Sequence, residues 1–309
     1  RSAILITIDS LRADHLSCLG YTGRTTSNID ELARNGTLFT QAYSNGGGSV
    51  TSFPSIMTST YSLMNPNSNA QNGTFWVKLS NKWISIAEIL KSKGYSTAAF
   101  KNKKDDLSSI FGYDRGFDLF DDPISINEKA VAKLSRKIGF FVGNKFQRAN
   151  LINRKAIPWI QKQTQSFFLW LHYMDAHLPY NPKNISILNH LQANKLEKKT
   201  SNNSKHLSPK DLGTLKRLYD QEINYLDTEI GKLKHELEKI GISTDNTFFI
   251  LLSDHGDQHM EHGELGHGRL YDEVLHVPLI ICGPGIDKNI IVEEQVSLLD
   301  VAPTIIDLL

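Results

Sequence analysis

The sequence predicts an α/β fold with a mainly parallel sheet carrying helices on both faces. Three observations carry that reading. Strand-like and helix-like runs alternate along the chain, as they do when helical crossovers join parallel strands. The runs Ala3–Ile8 and Thr247–Ser253 are continuously apolar and β-rich, the pattern of strands buried on both faces. Both end on an acid, Asp9 and Asp254, and in open α/β sheets ligands gather at the carboxyl ends of strands.

In chain order, Ala3–Ile8 is the first strand. Ser27–Arg34 follows as a short helix closed by Gly36, and Thr37–Tyr43 as a second strand. That strand runs into Ser44-Asn45-Gly46-Gly47-Gly48, where successive glycines mark a bend or a close approach of the backbone to another group. Phe53 to Thr60 has the pattern of a helix start. Trp83–Lys93, closed by Gly94, is an amphipathic helix leading to the strand Tyr95–Phe100. Phe167–Tyr173 is an aromatic-rich strand. Residues 181–208, rich in Asn, Lys and Ser, form a surface insertion, and a long helix then spans about Pro209 to Ile240 with its charges on a solvated face. Strands return at Val277–Ile281 and, after the turn Gly283-Pro284-Gly285, near Ile290–Ser297.

The 309 residues suffice for a sizeable core. A chain that is 40% hydrophobic and 22% charged is neither disordered, nor a collagen-like fibre, nor a membrane bundle. Lys and Arg number 34 against 33 Asp and Glu, so no bulk field draws in nucleic acid or an anionic membrane, and an anion site has to be built locally. Cys18 and Cys282 stand far apart, in no metal-ligand spacing, which excludes a disulfide framework and a zinc-thiolate site. No run reaches the roughly 18 apolar residues of a membrane span. The chain starts at Arg1 directly before a strand and stops at Leu309 inside a helical pattern, as an excised domain would, and leaves localisation and membrane association open.

The densest chemistry follows Thr247–Ser253. Asp254, His255, Asp257, His259, Glu261, His262, Glu264 and His267 crowd one glycine-punctuated loop. Carboxylates and imidazoles at a strand tip present oxygen and nitrogen ligands side by side, which suits a divalent cation of intermediate hardness. Any one of these histidines would fit a solvated loop. The cluster as a whole points to a site fixed by its scaffold.

Six stretches, in order along the chain, resemble landmarks of the sulfatase family within the alkaline-phosphatase-like superfamily. They are Ile6-Thr-Ile-Asp-Ser-Leu-Arg-Ala-Asp-His-Leu16, Tyr113-Asp-Arg-Gly-Phe-Asp118, Leu171-His-Tyr-Met-Asp-Ala-His-Leu-Pro-Tyr180, Ser253-Asp-His-Gly256, Gly266-His-Gly-Arg-Leu-Tyr-Asp-Glu-Val-Leu-His-Val-Pro278 and Asp300-Val-Ala-Pro-Thr-Ile-Ile306. The resemblance implies an alkaline-phosphatase-like three-layer sandwich over residues 1–309, without the family's small C-terminal subdomain. It implies one divalent metal ion (Ca, Mn, Mg or Zn) on Asp9, Asp254 and His255, with the nucleophile as a further ligand. Ser10 stands where the family usually has a second acid, which implies a thinner ligand set. His177 and His267 fall where the family places groups that contact the anion or act as general acid. The family's lysine position lands on Asn102, flanked by Lys101 and Lys103, so Asn102 and Lys103 are candidates for substrate binding, and either lysine could take the role. Arg12 is another, unless it pairs with Asp14 or Asp30. For Asp14, His15, His172 and Asp175 a structural role is expected.

Sulfatases carry Cys-x-Pro-Ser-Arg, whose Cys is oxidised to formylglycine. Aligned on the helix from Phe53 to Ser59, this chain reads Ser49-Val50-Thr51-Ser52-Phe53, which puts Ser49 at the nucleophile and leaves Pro and Arg absent. Alignment on Pro54 chooses Ser52 instead, and Thr51 is a further alternative. These hydroxyls would also serve as helix caps, and a helix N-terminus stabilises an anionic nucleophile as well. Formylglycine hydrate expels sulfate by breaking down its own hemiacetal, an exit that a serine sulfate lacks. A serine phosphate yields to metal-activated water. The expected function is therefore hydrolysis of a sulfate or phosphate ester, leaning to phosphomonoesters and phosphodiesters. Substrates would be small-molecule, glycan-linked or lipid-linked esters, with no nucleic-acid partner. The alternatives are a headgroup phosphotransferase acting on lipid or glycan, and a non-catalytic anion-binding relative.

Overall fold

The computed structural model describes residues 1–62, 78–102, 105–121, 148–180, 182, 196 and 207–309. Lys103 and nearly all of the insertion expected at 181–208 lie outside the described residues. A nine-stranded sheet forms the middle layer. Its strands are β1 (Ser2–Ile8), β2 (Thr37–Tyr43), β3 (Ser96–Lys101), β4 (Leu119–Asp121), β5 (Phe167–Tyr173), β6 (Thr247–Ser253), β9 (His276–Cys282), β10 (Ile290–Val292) and β11 (Val296–Ser297). A separate two-stranded hairpin, β7 (Gln258–His259) with β8 (Leu265–Gly266), lies in the histidine-rich loop. The order across the sheet is β10-β2-β9-β6-β1-β5-β3-β4, with β11 also on β2. β9 runs antiparallel to both neighbours, and every other pairing in the large sheet is parallel.

The continuous apolar character of β1 follows from its central place. Ile4, Ile6 and Ile8 enter a core shared with α1 (Ser27–Arg34), α4 (Ala149–Ile160) and α5 (Pro209–Lys239). Ala3 and Leu5 enter a second core on the opposite face, with α2 (Ser49–Thr58), α3 (Ile86–Ser92) and α7 (Val301–Leu308). Side chains alternate across a strand, so a strand between two cores has no polar face. A single helical turn, α6 (Asp272–Leu275), precedes β9.

Several boundaries differ from expectation for local reasons. α3 begins at Ile86 rather than Trp83 because Ser85 closes a capping box: its Oγ accepts the Glu88 N–H at 3.2 Å while Glu88 accepts the Ser85 N–H at 2.8 Å. α2 begins four residues before Phe53 and continues through Pro54, a residue normally confined to a first turn. Phe53, Ile56 and Met57, all buried against the sheet, hold it in place. The expected strand 290–297 is two short strands, both paired to β2.

α5 buries charge where a wholly solvated polar face was expected: Glu222, Asp227 and Glu229 are all buried. Asp227 accepts the N–H groups of Asn28 and Ile29 at 3.0 and 2.8 Å, so a carboxylate from another helix occupies the N-terminus of α1, whose own cap residue Thr26 makes no capping bond. Among the described residues no helix is long and apolar enough to cross a membrane. Replacing Asp227 with Ala is expected to lower stability by roughly 1–2 kcal/mol in urea unfolding, the usual cost of losing a helix cap. An unchanged midpoint would mean that the start of α1 is held by something else.

Candidate active site

Strand pairing brings together residues 245 positions apart. Ile8 and Ser253 are register partners at the ends of β1 and β6, so the next residues, Asp9 and Asp254, leave the sheet side by side. The Asp9 N–H is fixed by the Tyr173 carbonyl of β5 at 2.9 Å. Asp9, Asp254 and His255 are fully buried, and one ligand atom from each lies within 4.8 Å of the others. His255 Nε2 is 3.6 Å from Asp9 Oδ1 and 3.5 Å from Asp254 Oδ2. Its Nδ1 lies 2.8 Å from the Gly256 carbonyl, which only accepts, so the proton sits on Nδ1 and Nε2 turns a lone pair to the carboxylates. Two buried carboxylates facing an imidazole lone pair form an all-acceptor set, the donor chemistry a divalent cation requires.

Ser49 opens α2 and points into this set. Its Oγ donates to Asp9 Oδ2 at 3.0 Å, lies 3.3 Å from His255 Nε2, and belongs to a residue only 2% exposed. Thr51 Oγ1 donates back to the Gly48 carbonyl at 2.8 Å and Ser52 Oγ to the Ser49 carbonyl at 3.4 Å, so the other two candidate hydroxyls bond to their own chain turn. The glycine run supports this placement. A Cβ on Gly47 would stand 2.6 Å from the Arg269 carbonyl, so the loop carrying Ser49 packs against backbone that only glycine lets it approach. Ser10, at the position of the expected second acid, is held at φ +62 and donates to Asp9 Oδ1 at 2.9 Å. It steadies the carboxylate from a backbone conformation unusual for a non-glycine residue.

Three imidazoles border the carboxylates. His177 Nε2 is 4.0 Å from Asp9 Oδ1, and its Nδ1 bonds the Leu178 carbonyl. The His267 ring lies 4.2 Å from that of His255 and 5.3 Å from that of His177, and its Nδ1 is 3.0 Å from Asp257 Oδ1. His172 Nε2 is 3.8 Å from Asp9 Oδ2, with Nδ1 2.9 Å from Thr7 Oγ1. Burial works to raise the Asp257 carboxyl, but the hydrogen bond and charge of His267 outweigh it and hold the group below the ordinary carboxylate range.

At the end of β3, Asn102 is fully buried and donates its N–H to the His172 carbonyl at 3.2 Å. Lys101, also fully buried, is the register partner of His172. Its Nζ lies 3.4 Å from the Asn102 carbonyl and 5.5 Å from the centre of the Phe120 ring, while Lys103 is not among the described residues. Of the partners open to Arg12, the structure shows Asp14: Nε and Nη2 grip it at 2.9 and 2.8 Å, and Nη1 donates to Glu261 at 2.8 Å and to the Asp257 carbonyl at 3.0 Å. These bonds tie the histidine-rich loop to the chain just beyond β1, while Asp30 bonds Cys18 and Thr26.

Two residues beside the site were not singled out in the sequence: His172, expected to be structural, and Asp257, one member of the polar cluster. The period of two along β5 could have found His172, since it shares register with Thr7 and so the face that Asp9 continues. Asp257 carried no signal beyond membership of the cluster.

The sheet order, the two helical layers and a polar centre at the carboxyl ends of β1, β5 and β6 are those of the alkaline-phosphatase-like α/β enzymes. The phosphonate monoester hydrolase of Agrobacterium radiobacter superposes with a TM-score of 0.76 at 19% identity, over 99% of this chain and 73% of that one. The one from Silicibacter pomeroyi gives a TM-score of 0.69 at 21% identity, over 99% of this chain and 73% of that one. The sulfatase family model matches residues 1–309, and the chain belongs to that family of sulfuric and phosphoric ester hydrolases. It is 24% identical to an arylsulfatase of Clostridium perfringens over 98% of this chain and 74% of that protein. With bovine arylsulfatase K it shares 33% identity over 109 residues, 35% of this chain and 20% of that protein.

The loop also sets a pH limit. Burial pulls the His259 imidazole down from 6.5 to about 4, against the opposing charge of Asp257. A folded-state value below the unfolded one means that the unfolded chain takes up the proton first, so stability is complete above pH 6.5 and is lost as pH falls from there towards 4. His259→Gln is expected to remove on the order of 3 kcal/mol of acid destabilisation between neutral pH and the lower limit. Urea midpoints measured across that range would show it, and an unchanged pH slope would contradict it.

Proposed function

We propose that the chain hydrolyses phosphate esters, mono- or diesters, with Ser49 as nucleophile. The observation that carries this reading is a buried serine hydroxyl, in place of the family's cysteine, bonded to Asp9 at 3.0 Å and lying 3.3 Å from His255 Nε2. The relatives' names include arylsulfatase and phosphonate monoester hydrolase. What favours phosphorus is the serine, because its phosphate ester is open to attack by water whereas its sulfate ester lacks the formylglycine exit.

Asp9, Asp254 and His255 are the residues that would hold the divalent cation. When bound, it would stabilise the serine alkoxide and the charge on the transferred group. Asp9 Oδ2 takes up the hydrogen bond of Ser49 and orients its oxygen. Ser49 Oγ, its proton released to solvent, attacks phosphorus in line as the bond to the alcohol oxygen breaks, and an imidazole, His267 or His177, gives a proton to that departing oxygen. Water then attacks the seryl phosphate, passing one proton to the same imidazole while its hydroxyl stays on phosphorus; the bond to Ser49 Oγ breaks, restoring the serine oxygen and releasing phosphate, or a monoester from a diester. The N-terminus of α2, Lys101 and Asn102 supply the positive charge and donors that the equatorial oxygens need.

Ser49→Ala and Asp254→Ala are each expected to lower kcat on an aryl phosphate or an aryl phosphodiester by about 10³-fold or more. Chelation should abolish turnover, and Mn, Mg, Ca and Zn would be compared for restoring it. Undiminished turnover in both variants, or an aldehyde at Ser49 in peptide mass spectrometry together with a preference for aryl sulfates, would overturn the reading.

A further inference from the structure

One buried carboxylate beside the site has no task in this scheme. Asp257 is 1% exposed. Its Oδ1 accepts the Nδ1–H of His267 at 3.0 Å, and its Oδ2 accepts the Tyr180 hydroxyl at 3.3 Å. Tyr180 is itself buried, its hydroxyl 3.0 Å from His259 Nε2. The Asp257 carbonyl is gripped by Arg12 at 3.0 Å, and Arg12 is in turn tied to Asp14 and Glu261. Apart from His267, the side chain and backbone of Asp257 are thus fixed by Tyr180 and Arg12. The His267 ring it holds is oriented with Cδ2, the carbon bonded to Nε2, 3.4 Å from where a Cβ on Gly48 would stand. Gly48 immediately precedes Ser49, so the Nε2 side of the ring borders the nucleophile's loop.

We propose that Asp257 is the positioning residue for His267: by accepting the Nδ1–H it fixes the ring and makes Nε2 the nitrogen that serves the leaving oxygen. This rests on the reading of His267 as proton donor, and it chooses between the two histidines left open above. The Nδ1 of His177 bonds a neutral carbonyl, whereas that of His267 bonds a carboxylate, a partner matched to an imidazole that carries positive charge while it donates. As the bond from phosphorus to the leaving oxygen breaks, its electron pair stays on that oxygen. Nε2 hands its proton there, and the imidazole becomes neutral with its remaining proton on Nδ1, still bonded to Asp257. In the second half-reaction the proton of the attacking water returns to Nε2 by the same geometry.

The test uses the full metal-loaded chain and a series of aryl phosphates from activated to poor leaving groups. A general acid contributes about 10²–10⁴-fold, and most where the leaving group most needs a proton. Asp257→Asn and His267→Gln are therefore each expected to lose at least ten times more kcat/KM, which reports the step that expels the leaving group, on phenyl phosphate than on a dinitrophenyl phosphate, and the double variant should lose no more than His267→Gln alone. A loss that is uniform across the series for Asp257→Asn but graded for His267→Gln overturns the positioning role and leaves the acid assignment standing. A uniform loss for His267→Gln overturns both. Should Asp257→Asn fail to fold, nitrogen-15 NMR of the wild-type histidines in mildly alkaline buffer decides. A proton on Nδ1 of His267 supports the proposal, and one on Nε2 overturns it.

Discussion

Two carboxylates buried side by side repel each other, and the rest of the site is arranged around that constraint. Parallel pairing of β1 with β6 in the register Ile8 to Ser253 forces Asp9 and Asp254 together at the centre of the sheet, where both are fully buried. Such a pair destabilises a protein unless positive charge or donors answer it. Ser10 and Ser49 donate to Asp9, while His255, its tautomer set by the Gly256 carbonyl, turns an acceptor towards both acids. The strands on either side are locked into two cores that hold the pair in place, and a cation bound between the acids would offset their repulsion.

That constraint explains why the surrounding loops are so closely fitted. The glycine run before α2 lets the loop of Ser49 pack against the backbone of residue 269, and the same segment carries His267. Arg12, buried and bonded to Asp14, Glu261 and the Asp257 carbonyl, fastens the histidine-rich loop to the chain just beyond β1. Nucleophile, ligand set and imidazoles are therefore held by one another's loops as well as by the sheet. Disturbing any one of them should be felt by the others, since residues in one hydrogen-bonded network do not act independently.

The sequence made the scaffold legible where the pattern was local. β2, β5, β6 and α1 occupy the residues their apolar runs and flanking glycines marked. The carboxyl-end rule made Asp9 and Asp254 candidates for one shared site although they lie far apart in sequence. Legibility failed where the outcome depended on tertiary contacts or on a single-residue shift. Pro54 hid the true start of α2, because nothing local reveals that Phe53, Ile56 and Met57 pack well enough to carry a helix through a proline. β3 runs one residue beyond Phe100, and a shift of one exchanges the two faces of a strand, so the sequence left Asn102 and its flanking lysines as alternatives. Arg12 had an anion and two acids as rival partners in sequence; only the folded loop adds Glu261 and the Asp257 carbonyl to the contest.

Everything functional turns on whether the strand-tip acids and His255 share one cation beside the serine. Anomalous diffraction from crystals grown with manganese tests this most directly. The account predicts one strong peak in contact with Asp9, Asp254 and His255 Nε2, at roughly 2.0–2.2 Å as carboxylate and imidazole ligands require, with Ser49 Oγ next to it. A map with no peak between these residues, or with its principal peak elsewhere on the chain, would contradict it.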